Sequence, residues 1–372
     1  MSMNGKKVLF VANIMPHFTA FHVPFIRWLT EQGCEVHAAA NGTDTVPYCA
    51  RQFNIPVERS PYRTVNIRAC RMLKQIIDEG GYDLVHCHTP MGGVLARLAA
   101  RDARRRGTKV LYTAHGFHFY KGAPLQNWLV YYPAEKYLAR FTDGIVTINR
   151  EDYERAKRHH FCGRLYLVPG MGVDPQKFMP AGAARRSELR GRFGFAEDDF
   201  LLLCVGELNG NKNQAELIDA MVKVVPYCPH VKLLLAGKGS LQNAVERDIA
   251  ERSLQKNVIL LGYRRDVPEL LPMCDLGVSA SRREGLPINV IESLMCGLPV
   301  LVSDNRGHRE MLENNVNGFI CRSSDEFAER ILQLAGDHAL YNRLAAAARS
   351  SAMKFCISDC VGAMARVYRE FL

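Results

Sequence analysis

The chain has 372 residues, 48% hydrophobic and 23% charged. That composition excludes a disordered, collagen-like or coiled-coil protein, and the length implies two domains rather than one core. The net charge of +10 is lopsided: residues 1–170 carry 23 Lys and Arg against 13 Asp and Glu, whereas residues 171–372 carry 25 of each.

No window reaches the roughly 18 consecutive apolar residues of a membrane span. The apolar run after Lys6-Lys7 stops at Pro16-His17 without a small-residue cleavage site, so it reads as a first strand rather than a leader. Taken in chain order, buried strands are predicted at Val8–Ala12, Glu35–Ala39, Leu84–His86, Val110–Thr113 and Gly144–Ile148, with a helix over Phe21–Glu31. Val168-Pro169-Gly170-Met171-Gly172-Val173-Asp174-Pro175 is a cluster of turn formers and reads as a hinge. A second strand-helix series follows, with strands at Phe200–Val205, Val231–Ala236, Val258–Leu261, Leu276–Ser279 and Pro299–Val302. Continuous Val, Ile and Leu runs separated by helical stretches mean a parallel sheet covered on both faces.

Two doubly wound α/β domains are therefore expected, over residues 1–170 and 171–350, with segment 351–372 a helix packing back toward the first. Tandem domains of this kind imply an interdomain cleft with ligand at the C-terminal strand ends. The twelve cysteines are scattered with no C-x-x-C pair, which suits reduced thiols in a cytoplasm. Arg101, Arg104, Arg105, Arg106 and Lys109 form the densest basic cluster, and Arg155, Lys157 and Arg158 a second. Such clusters suggest an anionic partner. They are not interleaved with aromatic platforms, and no DNA-binding motif occurs, so nucleic acid is not expected. The stretch from Pro124 to Pro133 is aromatic-rich and suits either a membrane interface or a packed helix.

The sharpest chemical signal is Arg283-Glu284-Gly285-Leu286-Pro287-Ile288-Asn289-Val290-Ile291-Glu292-Ser293. A strand ending near Ser279 meets a loop, then a helix opening near Pro287 whose first N–H groups favour a phosphate. Glu284 in the loop can accept hydrogen bonds from sugar hydroxyls, and Glu292, further along the helix, can bridge a vicinal diol such as ribose. In the first half, His115 follows a buried strand, where an imidazole can donate to a developing charge or a hydroxyl. His17 and Thr19 stand in the loop after the first strand, as contributors to a ligand site or as turn residues. His86-x-His88 and His115-x-x-His118 invite a zinc reading. No Cys or Glu stands at ligand spacing, however, and H-E-x-x-H is absent, so no metal is expected. Gln242 replaces the third glycine after Gly237-Lys238-Gly239, which argues against a dinucleotide site.

The Glu284 to Glu292 block resembles the E-x7-E signature of the retaining glycosyltransferases of family 4, or group 1, which have the GT-B fold. The resemblance covers nearly the whole chain. Val168 to Asp174 with Phe178 matches the family's connector, and Val205-Gly206-Glu207-Leu208 to Lys212, then Leu217 to Ala220, its donor-phosphate segment. Leu235 to Gly239 and Leu261 to Val267 match the next two strands and loops. Thr113 to Gly122, Asn149 to Tyr153 and Arg306 to Glu310 look most like a subgroup acting on polyprenyl-diphosphate-linked sugars.

The resemblance implies that His115 and Glu284 are catalytic, and that Gly206, Lys212, Arg283, Gly285, Leu286, Pro287, Ile288 and Glu292 bind the donor. His17 and Lys121 then fall on the acceptor side. Lys212 would neutralise the donor diphosphate; Glu207 stands where the family more often has Arg, a lost cation for which Arg283 would compensate. The implied activity moves a hexose or N-acetylhexosamine, with retention, from a nucleotide diphosphate sugar (UDP-linked) to a lipid-linked saccharide in bacterial surface polysaccharide synthesis. No metal and no cofactor is implied, and the enzyme would be cytoplasmic and peripheral on the anionic inner face of the cell membrane. The alternatives are a nucleotide-sugar epimerase on the same fold and a non-catalytic protein binding an anionic surface.

Overall fold

A computed structural model describes residues 3–372. Their strands are β1 (Lys7–Ile14), β2 (Glu35–Asn41), β3 (Arg51–Asn54), β4 (Leu84–His88), β5 (Lys109–Ala114), β6 (Gly144–Thr147) and β7 (Leu165–Leu167), followed by β8 (Phe200–Val205), β9 (Val231–Ala236), β10 (Val258–Gly262), β11 (Leu276–Ser279), β12 (Val300–Ser303) and β13 (Gly318–Cys321). They form a seven-stranded sheet in the order β3-β2-β1-β4-β5-β6-β7 and a six-stranded sheet in the order β10-β9-β8-β11-β12-β13. Every pairing within the two sheets is parallel.

The predicted strands all form. Their runs are apolar on both faces, as in Val8 to Ala12 and Leu201 to Leu203, which are almost wholly buried, and a strand covered by helices on both sides needs that pattern. Three short strands were not predicted. Two of them, Arg-Gln-Phe-Asn in β3 and Leu-Tyr-Leu in β7, lie at the edges of the first sheet with partly exposed residues. The third, Gly-Phe-Ile-Cys in β13, lies at an edge of the second sheet. None carries a long apolar run. The single helix expected over Phe21–Glu31 is instead two, Met15–Phe21 and Val23–Glu31, broken at His22. Pro24 in the first turn of the second helix has no N–H to continue the ladder, so the helix restarts there.

The chain divides into two compact units, one running to Gly172 and including Ile357–Leu372, the other Val173–Cys356. The division falls two residues beyond the predicted hinge point, inside the same turn cluster, where Gly170 and Gly172 both take φ +86°. A Cβ on Gly172 would lie 2.7 Å from the Ile357 Cα, so the chain crosses itself there only as glycine. Residues 351–356 stay with the second unit, and the helix Ile357–Arg369 joins the first. In that helix Tyr368 stacks on Trp28, its hydroxyl lying 2.9 Å from His86 Nδ1. Among the described residues no helix is long and apolar enough to cross a membrane.

Candidate active site

In the second sheet the strand order reverses between β8 and β11, the position where open α/β sheets bind ligand. Two glycines allow the loops there to close up. A Cβ on Gly237 would fall 1.9 Å from the Gly206 carbonyl oxygen, and one on Gly239 2.2 Å from that of Leu208. Gly206 in turn leaves room for the Lys212 stem, whose Cε would lie 3.2 Å from an added Cβ. Asn209 Oδ1 accepts from the Asn211 and Lys212 amides at 3.0 and 2.9 Å, which fixes the turn. Asn211 then stitches this loop to the one after β11: its carbonyl accepts from the Arg282 amide at 2.8 Å, and its side chain donates to the Arg283 carbonyl at 3.0 Å.

Across that stitch Lys212 Nζ lies 2.7 Å from Glu284 Oε1, a pair only partly shielded from solvent. The following helix is Ile288–Met295, with Pro287 as its N-cap residue, one step outside the helix rather than in its first turn. Leu286 and Pro287 are buried, and Asn289 donates to the Val205 carbonyl at 2.8 Å, tying the helix start to β8. Glu292, four residues into that helix, is half-buried rather than a surface residue. Burial raises its carboxyl to about 7, opposed by Lys177. Glu207 points to solvent, and its carbonyl accepts from Gln214. The predicted donor residues thus gather in the loops after β8 and β11.

One element beside them had no predicted role. In the helix Arg306–Met311, a Cβ on Gly307 would lie 2.8 Å from Glu284 Cβ, and Arg306 Nε donates to the Glu284 carbonyl at 3.3 Å. His308 Nδ1 contacts Asn305 Nδ2 at 2.9 Å and the Ser303 carbonyl at 2.7 Å, while burial lowers its pKa to about 4.

The first sheet reverses between β1 and β4. Asn13 Oδ1 accepts from the Thr89 hydroxyl and the Gly92 amide, both at 2.7 Å, and so joins the two strand ends. Thr89 takes φ +62°, ψ 154°, a strained conformation for a β-branched residue, held by these contacts. Around this point four imidazoles converge: His17, His22, His88 and His115. His22 Nε2 lies 3.1 Å from His17 Nε2, and His115 Nε2 lies 3.4 Å from His88 Nδ1. Desolvation lowers His17 to about 4 and holds His22, His88 and His115 well below the usual value. These rings are neutral at physiological pH.

The structure brings His17 to His115 as neighbours but regroups the pairs that spacing suggested. His86 is bound to Tyr368 and to Thr113, whose hydroxyl is 2.8 Å from its Nε2, and His118 packs on Tyr131 at 4.6 Å between ring centres. Lys121 is exposed in the turn before the helix Leu125–Leu138. Nor is the dense arginine cluster a bare cationic patch. Arg104 is bound in bidentate fashion to Asp143 at 2.9 and 2.8 Å, Arg106 pairs with Asp78, and Arg155 pairs with Glu151 at 2.9 Å. Arg105 remains mostly exposed, 3.9 Å from Asp102.

Each of the two parallel α/β sheets thus gathers polar side chains where its strand order reverses. Residues 185–351 match the family described as Glycosyl transferases group 1, and residues 24–177 match Glycosyltransferase Family 4. EpsD of Bacillus subtilis strain 168, a glycosyltransferase by name, is 45% identical over 99% of this chain and 97% of its own. The UDP-Gal:alpha-D-GlcNAc-diphosphoundecaprenol alpha-1,3-galactosyltransferase of Escherichia coli is 28% identical over 80% of this chain and 78% of its own. Among solved structures, Anabaena Alr3699/HepE in complex with UDP and glucose superposes with a TM-score of 0.80 at 19% identity, covering 98% of this chain and 100% of that one. Sucrose-phosphate synthase from Thermosynechococcus elongatus gives a TM-score of 0.79 at 16% identity, covering 99% of each chain. The chain belongs to the group 1, family 4 glycosyltransferases.

Proposed function

We propose that the protein transfers a hexose or N-acetylhexosamine, with retention of anomeric configuration, from a UDP-linked donor to a lipid-linked saccharide during bacterial surface polysaccharide synthesis. The observation that carries this reading is the Lys212–Glu284 pair, 2.7 Å apart where the second sheet reverses, with Glu292 four residues into the adjoining helix. UDP in the Anabaena structure and the diphosphoundecaprenol acceptor in the Escherichia coli relative's name support the choice of donor and acceptor.

Without donor, Lys212 and Glu284 neutralise each other. A bound diphosphate takes Lys212 as its counter-charge, together with Arg283 and the N–H groups that open the helix Ile288–Met295. Glu284 is then released to accept hydrogen bonds from the donor sugar, and Glu292 holds the ribose diol. Lys212, Arg283 and the helix N–H groups are in place once donor is bound and face the charge that grows on the departing diphosphate, so they lower the barrier without rearranging during the chemical step. The protein's own cations meet the diphosphate in this scheme, and attack from the leaving-group face needs no side-chain nucleophile. His115, with His17 beside it, serves the acceptor.

Purified protein given a panel of radiolabelled UDP-sugars and a polyprenyl-diphosphate saccharide should label the lipid. Donor-sugar interconversion without acceptor labelling would instead identify an epimerase, and neither activity would leave a binding protein.

We further propose peripheral docking at the anionic cytoplasmic face of the membrane. The helix Leu125–Leu138 packs Trp128, Tyr131 and Tyr132 against the first core but leaves Leu125 73% and Leu129 68% exposed, with Val130 and Tyr137 about half exposed. Lys121, Lys136 and Arg140 stand exposed around it. Because Arg104 and Arg106 are spent on Asp143 and Asp78, the informative charge reversals are Lys121→Glu and Arg105→Glu. Each should weaken flotation with phosphatidylglycerol vesicles at low salt, where a surface cation contributes about 1 kcal/mol. Vesicle binding that is absent at low salt, or unchanged at high salt, would contradict docking.

A further inference from the structure

We infer that His17, His22, His88 and His115 form a binding site for one transition-metal ion of the zinc class. The four residues come from the helix Met15–Phe21, where a loop was expected, and the break that ends it, the end of β4 and the position after β5, so no local sequence spacing links them. One nitrogen from each lies within 4.8 Å of the others. Around a tetrahedral ion with bonds of about 2.0–2.1 Å, ligand nitrogens stand about 3.3–3.4 Å apart. One contact is already close to that edge length, His22 Nε2 to His17 Nε2 at 3.1 Å; the 3.4 Å contact to His115 is made by His88 Nδ1, and one ion takes either that nitrogen or Nε2, not both. The widest pair, up to 4.8 Å apart, would draw in by about 1.4 Å on binding.

Two further observations point to a ligand rather than to ordinary packing. His88 is fully buried, yet its Nε2 has no hydrogen-bond partner, and buried polar atoms without partners are rare. The neighbouring backbone is also fixed: Asn13 clamps the strained Thr89 that follows His88. Burial favours the uncharged imidazole, the form that ligates metal.

An all-nitrogen set suits zinc and its neighbours rather than magnesium or calcium, which take oxygen ligands. No carboxylate belongs to the set, so the ion would keep its full positive charge at the strand ends where α/β sheets present ligands. The site uses only residues of the first unit; it takes up His17 and His115, which the transfer reading puts on the acceptor side, and its test is run without donor or acceptor so that the two readings fail separately.

The test is metal binding by the full chain, freed of any affinity tag and without substrate. Protein stripped with chelator, reloaded with zinc and desalted is expected to retain about one zinc per chain by mass spectrometry. Cobalt in place of zinc should give visible d–d absorption without a thiolate charge-transfer band. His17→Gln and His115→Gln should each weaken zinc binding at least about 100-fold and abolish the upward shift in melting temperature that zinc gives the wild type. His17 and His115 are half-buried whereas His22 and His88 are buried, so these two variants are the ones expected to keep their circular dichroism and leave the binding result interpretable. No retained zinc, zinc retained equally by both variants, or a thiolate band would each overturn the assignment.

Discussion

Glu284 and Glu292 have the same chemistry and are both half-buried, but Glu284 has a cation paired with it. Glu284 is paired with Lys212 at the mouth of a loop, and little of the core depends on it. Glu284→Ala should therefore fold normally while transfer falls at least about 100-fold, since charge-assisted hydrogen bonds are worth about 1.5–3 kcal/mol each. Steady-state kinetics beside a circular dichroism melt checks both halves of that statement. Burial raises the Glu292 carboxyl from 4.5 to about 7. The folded protein holds this proton more tightly than the unfolded chain does. Its contribution to stability is therefore complete below about pH 4.5 and lost as pH rises through about 7. A ribose diol is best held by the carboxylate, so donor binding releases the proton. Donor KM should fall as pH rises from about 6 to 8, and Glu292→Gln should flatten that profile. A wild-type KM that does not change across this range would remove Glu292 from the donor site.

At the scale of elements, the buried strands were legible as apolar runs, whereas β3 and β7 are partly exposed edge strands and β13, also at an edge, offers only Phe319-Ile320-Cys321. Lys212, Glu284 and Glu292 were singled out by their motif, and the structure places all three in or beside the loops after β8 and β11. The imidazole cluster was not. It depends on the break at His22, which Pro24 causes, and on the convergence of three strand ends, neither visible as a spacing. Also hidden was the buried pair that fastens the aromatic helix Leu125–Leu138 to the first sheet. Arg97 is wholly buried, forms a bidentate pair with Glu135, donates from Nε to the Gly93 carbonyl at 2.9 Å and covers the Tyr112 ring at 4.1 Å. Glu135→Ala leaves that guanidinium charged and unpaired, which should cost about 3–5 kcal/mol. A lowered urea midpoint confined to the first unit is the expected signature. A shift below about 1 kcal/mol would show that the pair contributes little.

For the whole molecule, the lopsided charge read from the sequence needed the structure to be interpreted, because several arginines of the first half are committed to Asp143, Asp78 and Glu151. The central claim is that the second unit holds the donor nucleotide through Lys212 and its loop, while the imidazoles of the first unit do other work. Calorimetric titration of UDP into the wild type, Lys212→Ala and His115→Gln tests this most directly. The account predicts saturable UDP binding by the wild type, a loss of at least about tenfold with Lys212→Ala, and an unchanged affinity with His115→Gln. Absence of UDP binding, or a loss seen with His115→Gln and not with Lys212→Ala, would contradict it.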